Sequence, residues 1–317
     1  MVEGKIRDVI MIGAGPSSLA AAIYTTREDI DTVIYEKGAI GGLAAITDMV
    51  DNYPGFPDGI EGLLLSGQFE KQAERFGAHI EFGEISAIKD EGDVKVVTVD
   101  GSDVKARAVL IATGSDYNKI GVPGETEYYG RGVHYCATCD GAFYRDKKLV
   151  VVGGGNSAFQ EAIFLTRFAS HIDLLVRSSI KASEVLRRDL QQYVDQGKIT
   201  VHINTQTEEI VAVEGKVKSV RAKKEGKPVE FAVDGVFIFV GLKPNTYFLK
   251  DSGVELDEQG LIKTDNRLQT NVAGVFASGD VRSGATMQIA SAVGEGASAA
   301  LSIREYLDEQ KRTNSTI

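Results

Sequence analysis

The chain has two cysteines in 317 residues, Cys136 and Cys139, three positions apart in "YCATCDGAFY". Such spacing serves three kinds of chemistry: half of a metal site, a small structural cross-link, or a dithiol that opens and closes. A structural zinc site needs four ligands, and there is no second Cys-x-x-Cys. His79, His134, His171 and His202 are scattered, and His134, two residues before the pair, is not at a usual ligand spacing. As a cross-link the pair closes a loop of four residues, which removes little entropy from the unfolded chain. Redox chemistry remains. A Cys-x-x-Cys turn lets one thiolate attack and the other resolve within one loop, and such motifs lower the thiol pKa. Asp140, directly after Cys139, is placed to give or take a proton as the disulfide opens. Its plainer role is that of a turn residue in "CDG".

A working dithiol needs an electron source, and two similar segments supply candidates. "DVIMIGAGPSSLAAAIYTTRE" (8–28) and "KLVVVGGGNSAFQEAIFLTRF" (148–168) each run from an apolar, β-branched stretch through a glycine turn into a helical pattern. In the first, Gly13 permits the tight turn and Gly15 lets a pyrophosphate approach the backbone. Ser18 is small enough for the third position of G-x-G-x-x-G. Glu36 ends the next strand candidate, "DTVIYE", where a carboxylate can hold ribose hydroxyls. In the second, Gly153, Gly155 and Ala158 take the three positions, with Asn156 and Ser157 between them. No acid follows there. Arg177, with Lys181 beyond it, suits a 2′-phosphate and favours NADP over NAD, although both cations could be merely solvated. Asp280 in "GVFASGDV" ends another buried strand; it can hold a sugar-like hydroxyl or simply cap the following helix. Two nucleotide units and one dithiol suggest a relay from reduced nicotinamide through a flavin to the disulfide and an external acceptor.

The elements that position these residues read as an α/β fold with two Rossmann-like dinucleotide-binding domains, the second inserted into the first. Further strands are predicted at "HIEFGEISAI", "VKVVTV", "AVLIATG", "IDLLVR", "ITVHIN", "VKSVRAKK" and "GVFIFVG". An Ala-rich helix is predicted through "IASAVGEGASAALSIREYL", with "DEQKRTNSTI" as a frayed tail. Boundaries are expected in short connections near 115–120 and 243–248. That gives a discontinuous first domain of 1–117 and 247–317, and a second of 118–246 that carries the cysteines. The net charge of -10 argues against nucleic acid and anionic membranes as partners. The N-terminus has no apolar signal core and no long apolar run follows, so a cytoplasmic location is the expectation.

The motifs also carry a resemblance. "GAGPSSLAAAIYTTR", "DNYPGFP", "IATGS", "RGVHYCATCDGAFYRDKKLVVVGGGNSAFQEA" and "GVFASGDV" are similar to the low-molecular-weight bacterial thioredoxin reductases along nearly the whole chain. The "CATCDG" block just before the second glycine turn is the most specific of them. The resemblance implies a homodimer that passes electrons from NADPH through FAD and the Cys136–Cys139 disulfide to thioredoxin or a thioredoxin-like protein. It implies FAD contacts at Gly13, Gly15, Ser18, Glu36, Gly42, Asn52, Ala112, Asp280, Gln288 and Ile289. NADPH would meet Gly153, Gly155, Asn156, Ser157, Ala158, Arg177 and Lys181. Cys136 would attack thioredoxin, Cys139 would face the flavin, and Asp140 would be the proton donor. The two domains would alternate between orientations.

Three departures bear on the donor side. Val176-Arg177-Ser178-Ser179-Ile180-Lys181 stands where the family has "HRR" and a further Arg. Gly41-Gly42-Leu43 replaces "GGQ", and Met287-Gln288 replaces "RQ". Lys lacks the planar fork of Arg for a phosphate. NADH or a ferredoxin is therefore an alternative donor. A flavin-dependent dithiol oxidase and a non-turnover flavin redox sensor are further alternatives.

Overall fold

The computed structural model describes residues 5–47 and 49–314. The chain divides into two compact units. One combines Met1–Asp116 with Lys243–Ile317; the other, Tyr117–Leu242, lies between those segments in the sequence.

The first unit opens with β1 (Ile6–Ile12), α1 (Pro16–Thr26) and β2 (Thr32–Glu36). A short helix α2 (Gly42–Ala45), the longer α3 (Gly62–Arg75) and β3 (His79–Phe82) follow. Then come β4 (Ile85–Glu91), β5 (Val94–Val99), β6 (Ser102–Ile111) and β7 (Ser115–Tyr117), which runs across the boundary. β3, β2, β1 and β6 are parallel neighbours, and β6, β5 and β4 continue the sheet antiparallel. The predicted strand "HIEFGEISAI" is therefore two strands. The break falls at Gly83, where a Cβ would lie 2.6 Å from Val99.

The second unit contains β8 (Val133–His134), α4 (Ala137–Asp140), β9 (Lys148–Val152), α5 (Asn156–Leu165), β10 (His171–Leu175), α6 (Glu184–Asp195) and β11 (Ile199–His202). It continues with β12 (Thr205–Val213), β13 (Lys216–Lys224), β14 (Lys227–Ala232) and β15 (Gly235–Ile238), and β16 (Leu242–Pro244) runs across the second boundary. Its main sheet, in the order β11-β10-β9-β15-β8, is parallel throughout. β12, β13 and β14 form a separate antiparallel sheet. The chain returns to the first unit with β17 (Val275–Ala277), parallel to β6, and α7 (Ile289–Asn314). α7 runs through most of the segment expected to fray. Among the described residues no helix is long and apolar enough to cross a membrane.

Both sheets are covered on two faces, as near-continuous apolar strands require. In β1, Val9 and Met11 pack with Leu19 of α1 and Ile303 of α7, while Ile10 and Ile12 face Val97 and Phe248. In β9, Leu149 and Val151 meet Phe159 and Ala162, while Val150 and Val152 face Val220. Burying one such side chain stabilises by about 1.5–3 kcal/mol.

α7 crosses α1 where small residues let the backbones approach. A Cβ on Gly296 would fall 2.1 Å from the Ser17 carbonyl oxygen, whereas one on Gly294 meets nothing within 4 Å. Gly296→Ala is expected to destabilise by about 1–3 kcal/mol through forced displacement. Gly294→Ala, two residues earlier on the same helix, should stabilise by roughly 0.5–1 kcal/mol. Urea midpoints of the two variants test this; equal shifts would mean that the crossing does not depend on the missing side chain.

Candidate functional site

Each unit builds the same strand–turn–helix corner. In the first, Gly13 follows β1 with φ +93°, and its Cβ would lie 2.7 Å from the Ala112 carbonyl oxygen. Only glycine meets both conditions. Ala112 N donates to the Ile12 carbonyl at 2.9 Å and Gly13 N to that of Tyr35 at 2.8 Å. In the second, Gly153 would place a Cβ 2.3 Å from the Phe239 carbonyl oxygen and 2.7 Å from the Ala158 methyl. Phe239 N donates to the Val152 carbonyl at 2.8 Å and Gly153 N to that of Leu175 at 3.0 Å. Gly15 and Gly155 are the extended N-caps of α1 and α5, and neither has an atom within 4 Å of its Cβ direction. Both helix N-termini thus leave open space beside the capping glycine, where a ligand's phosphate can approach the backbone.

The residues around the first corner gather at the carboxyl ends of its parallel strands. Glu36, ending β2, accepts from Ala14 N at 2.7 Å and Gly38 N at 2.7 Å. Ser18, in the first turn of α1, is fully buried and its hydroxyl has no hydrogen-bond partner. The Gly41 amide donates to the Ala14 carbonyl at 2.8 Å, which ties the Gly42 loop to the corner. Ser278, after β17, meets Ser17 at 2.6 Å between hydroxyl oxygens and so brings Asp280 to the start of α1. Asp280 is not the cap of the helix that follows it, because α7 begins only at Ile289. Asn52 donates to Gln288 at 3.0 Å, and Ile289 packs on Val50, Ile60 and Leu65.

At the second corner the segment after β10 folds back on the glycine turn. Lys181 N and Ala182 N donate to the Gly154 carbonyl at 2.7 and 3.1 Å, and Ser183 N donates to Asn156 Oδ1 at 2.9 Å. Arg177, Lys181 and Ser157 are exposed, and Ala158 is buried.

The cysteines occupy one helical turn of the second unit. Cys136 is the N-cap of α4, and its sulfur accepts from Cys139 N at 3.1 Å. The pair is a disulfide with Cα atoms 5.3 Å apart. Asp140 N donates to the Cys136 carbonyl at 3.2 Å, so the acid belongs to the same turn. Two residues outside the sequence-predicted set stand behind it. His134 contacts Asp140 Oδ2 through Nδ1 at 3.2 Å and the Tyr144 hydroxyl through Nε2 at 2.7 Å. Burial, then the charges of Asp140 and Asp234, push the Tyr144 hydroxyl well above its ordinary range. The nearby spacing of His134 to the pair was the available signal, and it pointed to no metal site. Glu125 was also missed: it is buried and accepts from Ile120 N, Gly121 N and the Tyr135 hydroxyl, at 2.9, 2.7 and 2.7 Å.

This pairing of doubled glycine corners with a dithiol turn agrees with what the chain is similar to. The family model described as pyridine nucleotide-disulphide oxidoreductase matches residues 7–296. The thioredoxin reductase of Bacillus subtilis is 43% identical over 320 residues, spanning 100% of both chains. That of Listeria innocua is 43% identical over 98% of this chain and 96% of its own. The crystal structure of thioredoxin reductase from Streptococcus pyogenes aligns with a TM-score of 0.91 and 38% identity, covering 96% of this chain and 99% of its own. The chain belongs to the pyridine nucleotide-disulphide oxidoreductases and, within them, to the low-molecular-weight thioredoxin reductases.

Burial, and then the neighbouring Glu295 carboxylate, push the Asp280 carboxyl up from 3.8 to about 6. Between those values the folded chain holds a proton that the unfolded chain has released. The contribution of Asp280 to stability is thus full at low pH and is lost as pH rises through about 6. Asp280→Asn, in protein stripped of small molecules, is expected to be more stable than the parent at pH 7 by on the order of 2–3 kcal/mol. The difference should close below about pH 4. Urea midpoints across that range measure it; a pH-independent difference would contradict the assignment.

Proposed function

We propose that the chain reduces the disulfide of thioredoxin, or of a thioredoxin-like protein, with electrons from NADPH, using FAD. The observation that carries this reading is the Cys136–Cys139 pair on a single turn that also contains Asp140. The first corner fits FAD: a helix N-terminus with open space at Gly15, an unpartnered buried hydroxyl at Ser18 and the Glu36 carboxylate are the features that a pyrophosphate and a ribose require. Gly13, Gly15, Ser18, Glu36, Gly42, Asn52, Ala112, Asp280, Gln288 and Ile289 would hold it. When bound, FAD supplies the conversion between hydride transfer and dithiol chemistry. The second corner would hold NADPH through Gly153, Gly155, Asn156, Ser157 and Ala158, with Arg177 and Lys181 at the 2′-phosphate. In this reading the discontinuous unit is the FAD domain and the inserted unit the NADPH domain. The enzyme is a cytoplasmic homodimer that binds neither nucleic acid nor membrane.

In the dithiol state, the Cys136 thiolate attacks the thioredoxin disulfide and forms a mixed disulfide. Cys139 then attacks Cys136, re-forms the internal disulfide and releases thioredoxin as a dithiol. Asp140 carries a proton between the enzyme thiol and the departing thiolate.

Anaerobic mixing with NADPH and, separately, NADH tests the donor: rapid bleaching of the flavin band by NADPH alone is expected. Bleaching by neither, with dithionite still effective, would transfer the donor role to a ferredoxin or the reading to a dithiol oxidase. Cys139→Ser should abolish thioredoxin reduction while ferricyanide is still reduced by NADPH; retained thioredoxin reduction would remove the dithiol from the path. Arg177→Ala should lower the preference for NADPH over NADH by roughly tenfold or more, as expected for loss of a charge-assisted contact of about 1.5–3 kcal/mol. An unchanged kcat/KM ratio would leave Arg177 outside the nucleotide site.

A further inference from the structure

His134 ends β8 two residues ahead of Cys136, and it is 5% exposed. Its ring stacks on Phe237 with centroids 5.1 Å apart, and Tyr144 meets both rings edge-on. Tyr144 is fixed in turn against Gly235, where a Cβ would fall 2.4 Å from its ring. Both imidazole nitrogens are engaged, Nδ1 with Asp140 Oδ2 at 3.2 Å and Nε2 with the Tyr144 hydroxyl at 2.7 Å. The side chains of His134 and Asp140 are 6% and 18% exposed, so the contact is largely shielded from water. A buried imidazole is costly unless its polar atoms are satisfied, and here one of the satisfying groups is the acid of the dithiol turn.

We propose that His134 is a positioning residue for Asp140. With the Tyr144 hydroxyl donating to Nε2, the neutral ring carries its proton on Nδ1 and donates it to Asp140 Oδ2. That bond fixes the carboxyl and leaves Oδ1 as the oxygen that exchanges a proton with sulfur. The inference rests on Asp140 being the proton carrier of the dithiol reaction. In that reaction two electrons leave the Cys136–Cys139 dithiol as its disulfide forms, and the thioredoxin disulfide takes them up as its S–S bond breaks. The two thiol protons end on the thioredoxin cysteines, one of them by way of Asp140. His134 keeps its own proton throughout, so the balance of the reaction is unchanged by its presence.

The test uses the holoenzyme with NADPH, reading kcat and KM for thioredoxin and, separately, ferricyanide reduction, which bypasses the cysteines. His134→Ala is expected to lower kcat for thioredoxin about tenfold, the loss of one hydrogen bond to a charged group. KM should stay within about twofold and ferricyanide reduction should hold, since the lost interaction acts on the reacting turn alone. His134→Asn, whose amide nitrogen stands near the place of Nδ1, should recover most of the rate. Tyr144→Phe, which keeps the packing, should lose rate a few-fold. The double variant His134→Ala/Asp140→Asn should be no slower than Asp140→Asn alone. A parental rate in Asp140→Asn would sink the proton-carrier assignment and this inference with it. If Asp140→Asn is slow but His134→Ala is not, or the two losses multiply, the assignment stands and His134 has no positioning role. Should His134→Ala fail to fold, Tyr144→Phe decides, and a parental kcat there overturns the proposal.

Discussion

The constraint on which the molecule depends is a close approach of backbone to backbone, made twice. Gly13 meets the Ala112 carbonyl, and Gly153 meets that of Phe239, at distances that leave no room for a Cβ. In each corner the contacted residue is the one that follows the neighbouring parallel strand, β6 or β15, and its amide bonds back to the last residue of the glycine's own strand. Closing the turn this tightly aims the next helix so that its N-terminus opens at the carboxyl edge of the sheet, where parallel α/β sheets bind ligands. Any other residue at these positions would face both a disfavoured φ and a collision with a carbonyl that a strand holds in place.

Built alike, the corners differ in what stands at the next strand end. In the first, Glu36 is held by two backbone amides, so a carboxylate, an acceptor of hydrogen bonds, is fixed next to the glycine turn. In the second, the following segment spends the amides of Lys181, Ala182 and Ser183 on Gly154 and Asn156, which seats a basic stretch against the turn. One geometry thereby presents an acceptor at one corner and cations at the other.

The corners were legible in the sequence because their signals are local: a β-branched run, glycines at fixed offsets, a small third residue and a helical period within about twenty residues. The cysteine turn was legible for the same reason. What escaped was tertiary. Nothing in "HIEFGEISAI" says that Val99 crowds Gly83 and splits the strand. The polar end of α7 resembles a tail, yet the helix runs on through Asn314, past Tyr306 and Leu307, which pack on the core just before that segment. The sequence left Asp280 between holding a hydroxyl and capping the helix after it, and only the Ser278–Ser17 hydroxyl pair, which ties its strand end to the start of α1, separates the two. His134 and Glu125 were invisible because their partners, Asp140, Tyr144 and Tyr135, matter only once β8 and the loop before it are in place.

Those two residues explain how the dithiol turn keeps its shape. A four-residue helix cannot hold itself, since a single turn fixes more dihedrals than its few hydrogen bonds repay. The turn is held from both flanks instead. On the N-terminal side the buried Glu125 carboxylate gathers two backbone amides and the hydroxyl of Tyr135, the residue before Cys136, and the Tyr135 ring lies stacked on Tyr117 with centroids 5.1 Å apart. Beneath it, His134 ties Asp140 to Tyr144 and the Phe237 ring of β15. Buried polar groups stabilise only when satisfied, and a satisfied network tolerates few alternative arrangements. The cost of burying a carboxylate and an imidazole is offset by these hydrogen bonds, and the backbone that carries both cysteines and Asp140 is held from two sides.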